Sequence, residues 1–353
     1  MSELTVRPVT GIGDVTPGAD LAALITDAAP WLADGDVVVV TSKVVSKAEG
    51  RLVPLPPEPG PERDAARDRA IDSETARVVA RRGPMRIVQT HHGLVLAAAG
   101  VDESNVDRSL LVLLPADPDA SAAALRARIR ALSGVDVAVV VSDTMGRPWR
   151  IGQTDVAIGA AGIEPVRDYR GGPDAYGNIL DVTQVAVVDE LAAAADLVKG
   201  KAEQVPVAVV RGFRFTASAE GGARALVRAG PEDMFALGTA EARADGLRRA
   251  ATLPDDVPLG DGDLPQGAVE HALSMVDTTV DVLSASSRRV TLRPGGDPRR
   301  PARAGADIHR LRAALAAAGL ASTWTDEPGA DAPFGTITVG MPAGIASGAE
   351  RRQ

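Results

Sequence analysis

The chain has 353 residues, of which 45% are hydrophobic and 24% charged, so it is long enough for two domains with packed cores. The absence of cysteine excludes disulfides, thiolate zinc sites, iron–sulfur clusters and a cysteine nucleophile. A net charge of −9 with 3% aromatic residues argues against a nucleic-acid partner. Because no apolar run reaches the length of a membrane span and no signal-like segment is present, we expect no membrane partner and a cytoplasmic location.

The predicted elements mix strands and helices along the chain. Apolar and β-branched runs predict strands at 35–42, on both sides of Gly93 within 85–100, and at 135–141, 205–212 and 335–340. Periodic or alanine-rich segments predict helices at 61–82, 119–133, 181–198 and 308–319. Asp119 is the predicted amino-terminal cap of the second helix, and Gly134 follows its end. Since strands and helices do not alternate strictly, we predict an α+β fold.

A change in composition near residue 250 predicts a domain boundary. Residues 251–267, ATLPDDVPLGDGDLPQG from Ala251 onward, are rich in proline, glycine and acid, which is typical of a linker. We therefore predict one domain at 1–250 and a short second one at 251–353, a small appendage of helices and strands.

Polar residues cluster at the ends of four apolar elements, in TSKVVSK, VDESN, SDTMGRPWR and VKGKAEQ. Asp102 and Asp143 each end an apolar run and precede hydroxyl or amide groups. Two carboxylates at 4 Å repel by about 4 kcal/mol at an effective dielectric constant of twenty, and a divalent cation reverses that cost. Taken alone, either aspartate is more commonly a turn or helix cap. Taken together, they favour a metal site, and with four scattered histidines the ion is Mg²⁺ or Mn²⁺ held by oxygen.

Carboxylates that hold a cation beside lysines and arginines are typical of sites that neutralise a polyphosphate. The chain has neither a GxxxxGK[ST] motif nor a GxGxxG motif that opens a helix, which excludes a P-loop and a dinucleotide-binding motif. The segment GIGDVTPGADL near the amino terminus has the glycines to bring backbone close to a phosphate or base, and a plain turn into a helix explains it equally well.

Several motifs in order closely resemble the coenzyme F420-0:L-glutamate ligase family of archaea and actinobacteria, over roughly residues 5–245. They are TSKVVSKAEGR, AGVDESNV, SDTMGRPWRIGQTDVAIGAAGI, VVDELAAAADLVKGK and PVAVVRG. The resemblance implies an acid–amino-acid ligase that uses GTP to add L-glutamate to coenzyme F420-0 and then extends a γ-glutamyl tail, through an acyl phosphate. It also implies an α+β fold and an intertwined homodimer.

The resemblance assigns roles to individual residues. It implies that GTP contacts Ile12, Gly13, Asp14, Val15, Ser42, Lys47 and Asn105. It implies that Asp102 and Asp143 bind a first metal ion and Thr144 a second, with a monovalent cation such as K⁺ as a further ligand of the site. We add Arg147 and Arg150, with Asp143, as catalytic candidates, because guanidinium groups suit phosphate or carboxylate oxygens. For the two arginines, a surface ion pair is an equal alternative.

Two departures from the family pattern stand out. Lys201 stands where archaeal members carry an acid that assists the second ion, so either Glu203 substitutes or phosphate oxygens and water hold that ion. The last hundred residues are too short for the flavin-binding nitroreductase-like domain that follows the ligase in two-domain members. Only ALAAAGLASTWTDEPGADAPFGTITVGMPAG is similar to the end of such a domain, so we predict a reduced remnant without FMN.

Two other functions fit the same residues. A metal-dependent GTP phosphatase would use the same aspartates and release phosphate without glutamate or a deazaflavin. A non-catalytic module would bind GTP without turnover.

Overall fold

The computed structural model describes residues 3–200, 204–218, 221–228, 230–254, 257–276, 281–286, 288–293, 301–326 and 335–343. The chain divides into two compact units, Met1–Thr239 and Ala240–Gln353. Within the described ranges, no helix has the length and apolar character needed to cross a membrane.

The first unit mixes helices with several small sheets. Its strands are β1 Thr5–Val9, β2 Val37–Thr41, β3 Leu52–Pro54, β4 Thr75–Arg82, β5 Met85–Thr90, β6 Val95–Ala97, β7 Leu110–Val112, β8 Ala138–Gly146, β9 Gln153–Ala161, β10 Val166–Asp168, β11 Gln184–Ala186 and β12 Val207–Arg211. Its helices are α1 Leu21–Ala28, α2 Ser42–Ala48, α3 Pro61–Glu74, α4 Pro118–Ser133 and α5 Val187–Lys199. The predicted α+β class is confirmed.

The main sheet has the order β1-β12-β2-β8-β9, in which β2 and β8 are parallel and the other neighbours antiparallel. Helices cover both faces, so the valine-rich central strands are buried on both sides. Val38 and Val40 of β2 pack into the core that contains α1, α2 and α4, whereas Val37 and Val39 pack into the core that contains α5. This alternation follows the two-residue period of a strand.

The elements between β3 and β7 form a smaller layer with its own core. The antiparallel pairs β3-β7 and β4-β5-β6 and the helix α3 share an apolar core that includes Ile71, Val88 and Leu111. The bridge between Asp102 and Val112 extends the β3-β7 pair toward the polar segment VDESN.

Two predicted helices begin or end elsewhere in the structure. The helix predicted at 61–82 ends at Glu74, and Thr75–Arg82 forms β4, paired with β5. The β-branched Val78 and Val79 fit a strand better than a helix once a partner strand is present. The helix predicted at 181–198 begins at Val187, because Gln184–Ala186 pairs with β10.

The predicted cap of α4 is also shifted. Asp117, rather than Asp119, caps the helix by accepting a hydrogen bond from the Ala120 amide at 3.1 Å. Gly134 ends the helix in the left-handed region, with φ 75°, as predicted.

Asp119 instead joins α4 to other elements. Its Oδ1 accepts from the amides of Ala160, at 2.9 Å, and Ala223, at 2.7 Å.

The second unit contains α6 from Thr239 to Ala251, α7 Ala268–Ser274, α8 Pro301–Ala317, β13 Leu259–Gly260, β14 Asp281–Ala285, β15 Arg289–Arg293, β16 Ala321–Asp326 and β17 Gly335–Pro342. Its antiparallel sheet runs β13-β17-β15-β14, with β16 on β17. The strand β13 lies inside the predicted linker and pairs with β17, so this segment holds structure that its composition does not indicate. That this unit is a nitroreductase-like remnant stays a prediction.

Candidate active site

A cleft of about 450 Å³ opens in the first unit where β2 ends beside β8. The two strands are parallel, and the register pairs Thr41, the last residue of β2, with Ser142 in the middle of β8, so Ser42 and Asp143, which follow, lie side by side. The helix α2 begins at once, at Ser42. The residues that line the cleft are Gly13, Asp14, Val15, Thr41, Lys43, Val44, Lys47, Asn105, Val106, Asp107, Thr144, Asp155, Asp196, Lys199, Gly200, Gln204, Val205 and Pro206.

Asp143 lies at the junction of the two strands and is partly buried. The Ser42 hydroxyl donates a hydrogen bond of 2.7 Å to its Oδ1. Burial, together with the nearby carboxylates of Asp155 and Asp102, raises the pKa of the Asp143 carboxyl to about 6, although the Ser42 hydrogen bond opposes the shift. A cation close to Asp143 would relieve the same repulsion.

Asp102 lies on the segment VDESN and contacts Lys43, which lines the cleft. Burial alone would raise its pKa, but hydrogen bonds from Lys43 and the Ser104 amide outweigh burial, and the pKa of Asp102 is lowered. The Lys43 Nζ lies 2.6 Å from its Oδ2, and the Ser104 amide donates to its Oδ1 at 2.7 Å. Asp102 is therefore ionised and already paired with a cation of the chain.

A third carboxylate, Asp155, was not selected from the sequence. It lies on β9 opposite Thr144 in the antiparallel register. Its Oδ1 accepts from the Thr144 hydroxyl at 2.9 Å, and its Oδ2 accepts from the Ser142 hydroxyl at 2.8 Å. The buried Lys199, at the end of α5, lies 2.6 Å from the same Oδ2. Only the pairing of β9 with β8 brings Asp155 to the site, so no local pattern in the sequence could have selected it.

The glycine-rich segment forms one wall of the cleft. Gly13 has φ +73° with open space around its α-carbon, a conformation that favours glycine. Asp14 is exposed and lies 3.0 Å from the Lys47 Nζ. Ile12 and Val15 are buried and belong to the core beneath the segment, so their side chains anchor it.

Of the predicted residues, Ile12, Ser42, Asp102 and Asp143 do not line the cleft themselves but neighbour or contact residues that do. Asn105 lines the cleft with φ 54°, in the left-handed region. Arg147 and Arg150 are exposed in the turn between β8 and β9, and neither is among the described residues that line the cleft. Their catalytic role stays a prediction. Lys201 and Glu203 lie outside the described residues.

The donor set suits a hard cation in part. Asp143, Asp102 and the Thr144 hydroxyl offer oxygen ligands. Within the described ranges, no three His, Cys, Asp or Glu side chains are grouped closely enough to form a metal site by themselves. An ion held here therefore needs further oxygens from phosphate and water, which is the usual coordination of Mg²⁺ in phosphate-handling sites.

Comparison with known proteins identifies a family whose matched region lies within the first unit. The family model described as F420-0:Gamma-glutamyl ligase matches residues 11–212. A coenzyme F420:L-glutamate ligase from Methanothermobacter thermautotrophicus is 40% identical over 244 residues, 65% of this chain and 95% of the relative. Ligases of the same name from Methanopyrus kandleri and Haloarcula marismortui are 43% identical, over 66% and 60% of this chain and 97% and 88% of the relatives.

All three relatives are named as ligases, and the matched regions cover 88% to 97% of their lengths. The chain belongs to the F420-0:gamma-glutamyl ligase family, which confirms the family resemblance seen in the sequence.

Proposed function

We propose that this protein joins L-glutamate to coenzyme F420-0 with GTP and a divalent metal ion, and extends the product through γ-glutamyl bonds. The observation that carries the proposal is the contact between Ser42 and Asp143, where β2 ends beside β8. Three lysines, Lys43, Lys47 and Lys199, line the cleft together with four aspartates. The lysines suit the phosphates of a nucleotide and the carboxylates of the substrates, and the aspartates suit a divalent cation.

The nucleotide phosphates fit the lysine-lined part of the cleft. Lys43 and Lys47 lie on α2, one turn apart, and both side chains are mostly buried. Gly13, in the left-handed region with no atom within 4 Å of where a Cβ would stand, leaves room for a phosphate to approach the backbone of this segment. These groups orient GTP and offset its charge without a P-loop.

The proposed reaction has two transfers. A carboxylate oxygen of coenzyme F420-0 attacks the γ-phosphorus of GTP, the bond to the β-phosphate oxygen breaks, and an acyl phosphate and GDP form. The amine of L-glutamate then attacks the acyl carbon, an amide bond forms, and inorganic phosphate leaves with the bonding pair. The amine proton passes to solvent.

The metal part of the proposal rests on Asp143 and Asp102. A divalent cation supplies charge neutralisation for the β- and γ-phosphates. Asp143, kept in place by Ser42, and Asp102 would hold it, with the Thr144 hydroxyl beside them. Lys43 keeps the Asp102 carboxylate ionised and oriented.

A single assay separates this proposal from its rivals. The purified full chain is incubated with GTP, Mg²⁺ or Mn²⁺, L-glutamate and coenzyme F420-0, and the deazaflavin product is weighed by mass spectrometry. Mass gains of whole glutamate units support the ligase. Phosphate release without a mass gain would establish a GTP phosphatase, and GTP binding without either product would establish a binding module.

The Asp143→Asn variant tests the site directly. We expect ligation to fall by about 100-fold or more, because the variant loses the anionic oxygen at the strand junction. The matched control is Asp27→Asn, in an exposed position on α1, which leaves ligation unchanged. Near-normal turnover of Asp143→Asn, with an unaltered circular dichroism spectrum, would refute the assignment.

A homodimer completes the proposal. Large apolar side chains are exposed on the first unit of the single chain, among them Trp149 at 92%, Tyr176 at 93% and Ile151 at 101% of full exposure. Such side chains, in the β8–β9 turn and in the segment after β10, are typical of surfaces that a second copy covers. Sedimentation equilibrium at micromolar concentration gives twice the chain mass if the proposal holds, and the single-chain mass if it fails.

A further inference from the structure

We propose that the ammonium group of Lys199 is a built-in cation of this site, which takes the place of a second divalent ion beside Asp155. The protein then binds one divalent ion per chain rather than two. The inference rests on the proposed function for the presence of GTP and metal, and it adds a positioning role for two residues that the family resemblance did not assign.

The geometry of Lys199 is that of an internal counter-ion. The side chain of Lys199 is 4% exposed, as is that of Asp155. The Lys199 Nζ lies 2.6 Å from Asp155 Oδ2 and 2.8 Å from the Ser142 Oγ. An ammonium group this deeply buried keeps its charge only where a carboxylate and further hydrogen bonds replace water.

The fold fixes this contact from two directions. Lys199 is the last residue of α5, and Gly200 follows it with φ 64°, so the helix end points the side chain at the main sheet. Asp155 lies on β9, which packs against α5. Both residues line the cleft, so the ion pair belongs to the wall of the site and not to a remote part of the core.

The carboxylates of Asp102, Asp143 and Asp155 differ in their partners. Asp102 is paired with Lys43 and Asp155 with Lys199. Within the described ranges, Asp143 forms no ion pair with a lysine or arginine, and its side-chain partner is the Ser42 hydroxyl. Asp102, whose side chain is 41% exposed, stays open to a metal ion, and Asp143 is the one of these three carboxylates whose charge a divalent ion would balance.

A second divalent ion beside Asp155 is disfavoured by the same geometry. Both oxygens of Asp155 already accept hydrogen bonds, Oδ2 from Lys199 and Ser142 and Oδ1 from Thr144. The second ion would also lie within a few ångströms of the ammonium group, where like charges repel strongly in a poorly hydrated site. Lys199 instead holds Asp155, and Asp155 in turn orients the Thr144 hydroxyl toward the cleft.

The experiment counts bound ions rather than activity. The full-length protein is saturated with Mn²⁺ and the non-hydrolysable analogue guanosine 5′-(β,γ-imido)triphosphate. Equilibrium dialysis followed by elemental analysis then gives Mn²⁺ and nucleotide per chain. We expect one Mn²⁺ per bound nucleotide for the wild type. Two tightly bound Mn²⁺ per nucleotide in the wild type would overturn the inference.

Two variants make the count specific to Lys199. Lys199→Met keeps the length of the side chain without its charge, frees Asp155, and raises the count to two; Lys199→Arg keeps the charge, and the count stays at one. A count of one for a folded Lys199→Met variant overturns the replacement of an ion by Lys199. If Lys199→Met does not fold, the wild-type and Lys199→Arg counts decide.

The outcomes also separate this inference from the proposed function. A wild-type protein that binds the analogue without any Mn²⁺, or that does not bind the analogue, contradicts the proposed metal or GTP dependence. A wild-type protein that binds both, with two ions, contradicts only the role of Lys199.

Discussion

Asp143 lies in a more costly environment than the other carboxylates of the cleft. Asp102 and Asp155 each have a lysine at 2.6 Å, and hydrogen bonds from Lys43 and Ser104 keep the pKa of Asp102 lowered despite its burial. Asp143 has a hydroxyl donor and two neighbouring acids instead, and its pKa is raised to about 6 by burial first and by those acids second. Of these three carboxylates, Asp143 is thus the one whose negative charge is least compensated by its neighbours.

This environment predicts how the stability of the metal-free protein depends on pH. The pKa of Asp143 is raised in the folded protein. Protonation of its carboxyl therefore stabilises the folded state at low pH, and this stabilisation is lost as the pH rises toward and through 6. In chelator, the free energy of unfolding of the wild type relative to Asp143→Asn should fall by about 1 kcal/mol between pH 5 and pH 8. Urea unfolding of both proteins measures this difference.

The comparison with Asp143→Asn removes the contribution of the other titrating groups, which both proteins share. Wild-type and variant stabilities that run parallel over this pH range would show that the Asp143 carboxyl is not perturbed in the folded state.

At the scale of single residues, the sequence predicted the acids that end apolar runs and missed the pair that depends on packing. Asp102 and Asp143 could be selected because each follows a strand-like run. Asp155 and Lys199 are 44 residues apart, and only the docking of α5 on β9 brings them together. A long-range ion pair of this kind leaves no local pattern in the sequence.

The antiparallel pair of β8 and β9 carries the site, and α4 packs on it closely. A Cβ atom built at Gly159 of β9 would lie 2.2 Å from the backbone oxygen of Pro118, in the first turn of α4. Asp119 accepts a hydrogen bond from the Ala160 amide at the same place. The contact between helix and strand is therefore at its minimum distance, and only glycine fits it.

The Gly159→Ala variant should destabilise the first unit by about 2 kcal/mol, because backbone on both sides has to move to admit the methyl group. Gly146→Ala is the matched control in β8, since a Cβ there meets no atom within 4 Å, and it should leave stability unchanged. Thermal unfolding followed by circular dichroism compares the two. Equal unfolding temperatures for both variants would show that α4 shifts without cost.

At the scale of elements, runs with one dominant pattern were predicted and mixed segments were not. The valines of β2 and β12 gave strands at the expected positions, since apolar β-branched runs have few alternatives. Residues 75–82 contain charged residues at a spacing that also suits a helix, and pairing with β5 decides for a strand. Tertiary pairing of this kind is not visible in a local window.

Both units of the molecule have apolar cores, but the observations that bear on function concern the first unit. Three apolar cores of the first unit are built from residues 9–223, and a fourth core in the second unit is built from residues 269–339. The family match ends at residue 212. The residues proposed for catalysis all lie within the first unit.

The second unit carries a prediction about cofactors. Only residues 314–344 are similar to the end of a nitroreductase-like domain, and we expect residues 251–353 to bind no FMN. The purified protein should be colourless, and an absorbance spectrum of the supernatant after heat denaturation should lack flavin bands. A yellow preparation that releases FMN would contradict this prediction.

A chain that ends at residue 250 should fold and add glutamate without the rest. The cut falls near the end of α6, Thr239–Ala251, in which no described residue is buried, so it removes no side chain from the cores of the first unit. Both the product masses and the dimer mass of residues 1–250 should match those of the full chain.

The comparison is made on freshly purified proteins at equal concentration, with a chain that ends at residue 200 as the control. That control lacks β12, the strand between β1 and β2 in the main sheet, and should not fold. An insoluble or inactive 1–250 protein, beside an active full chain, would show that the first unit requires the second.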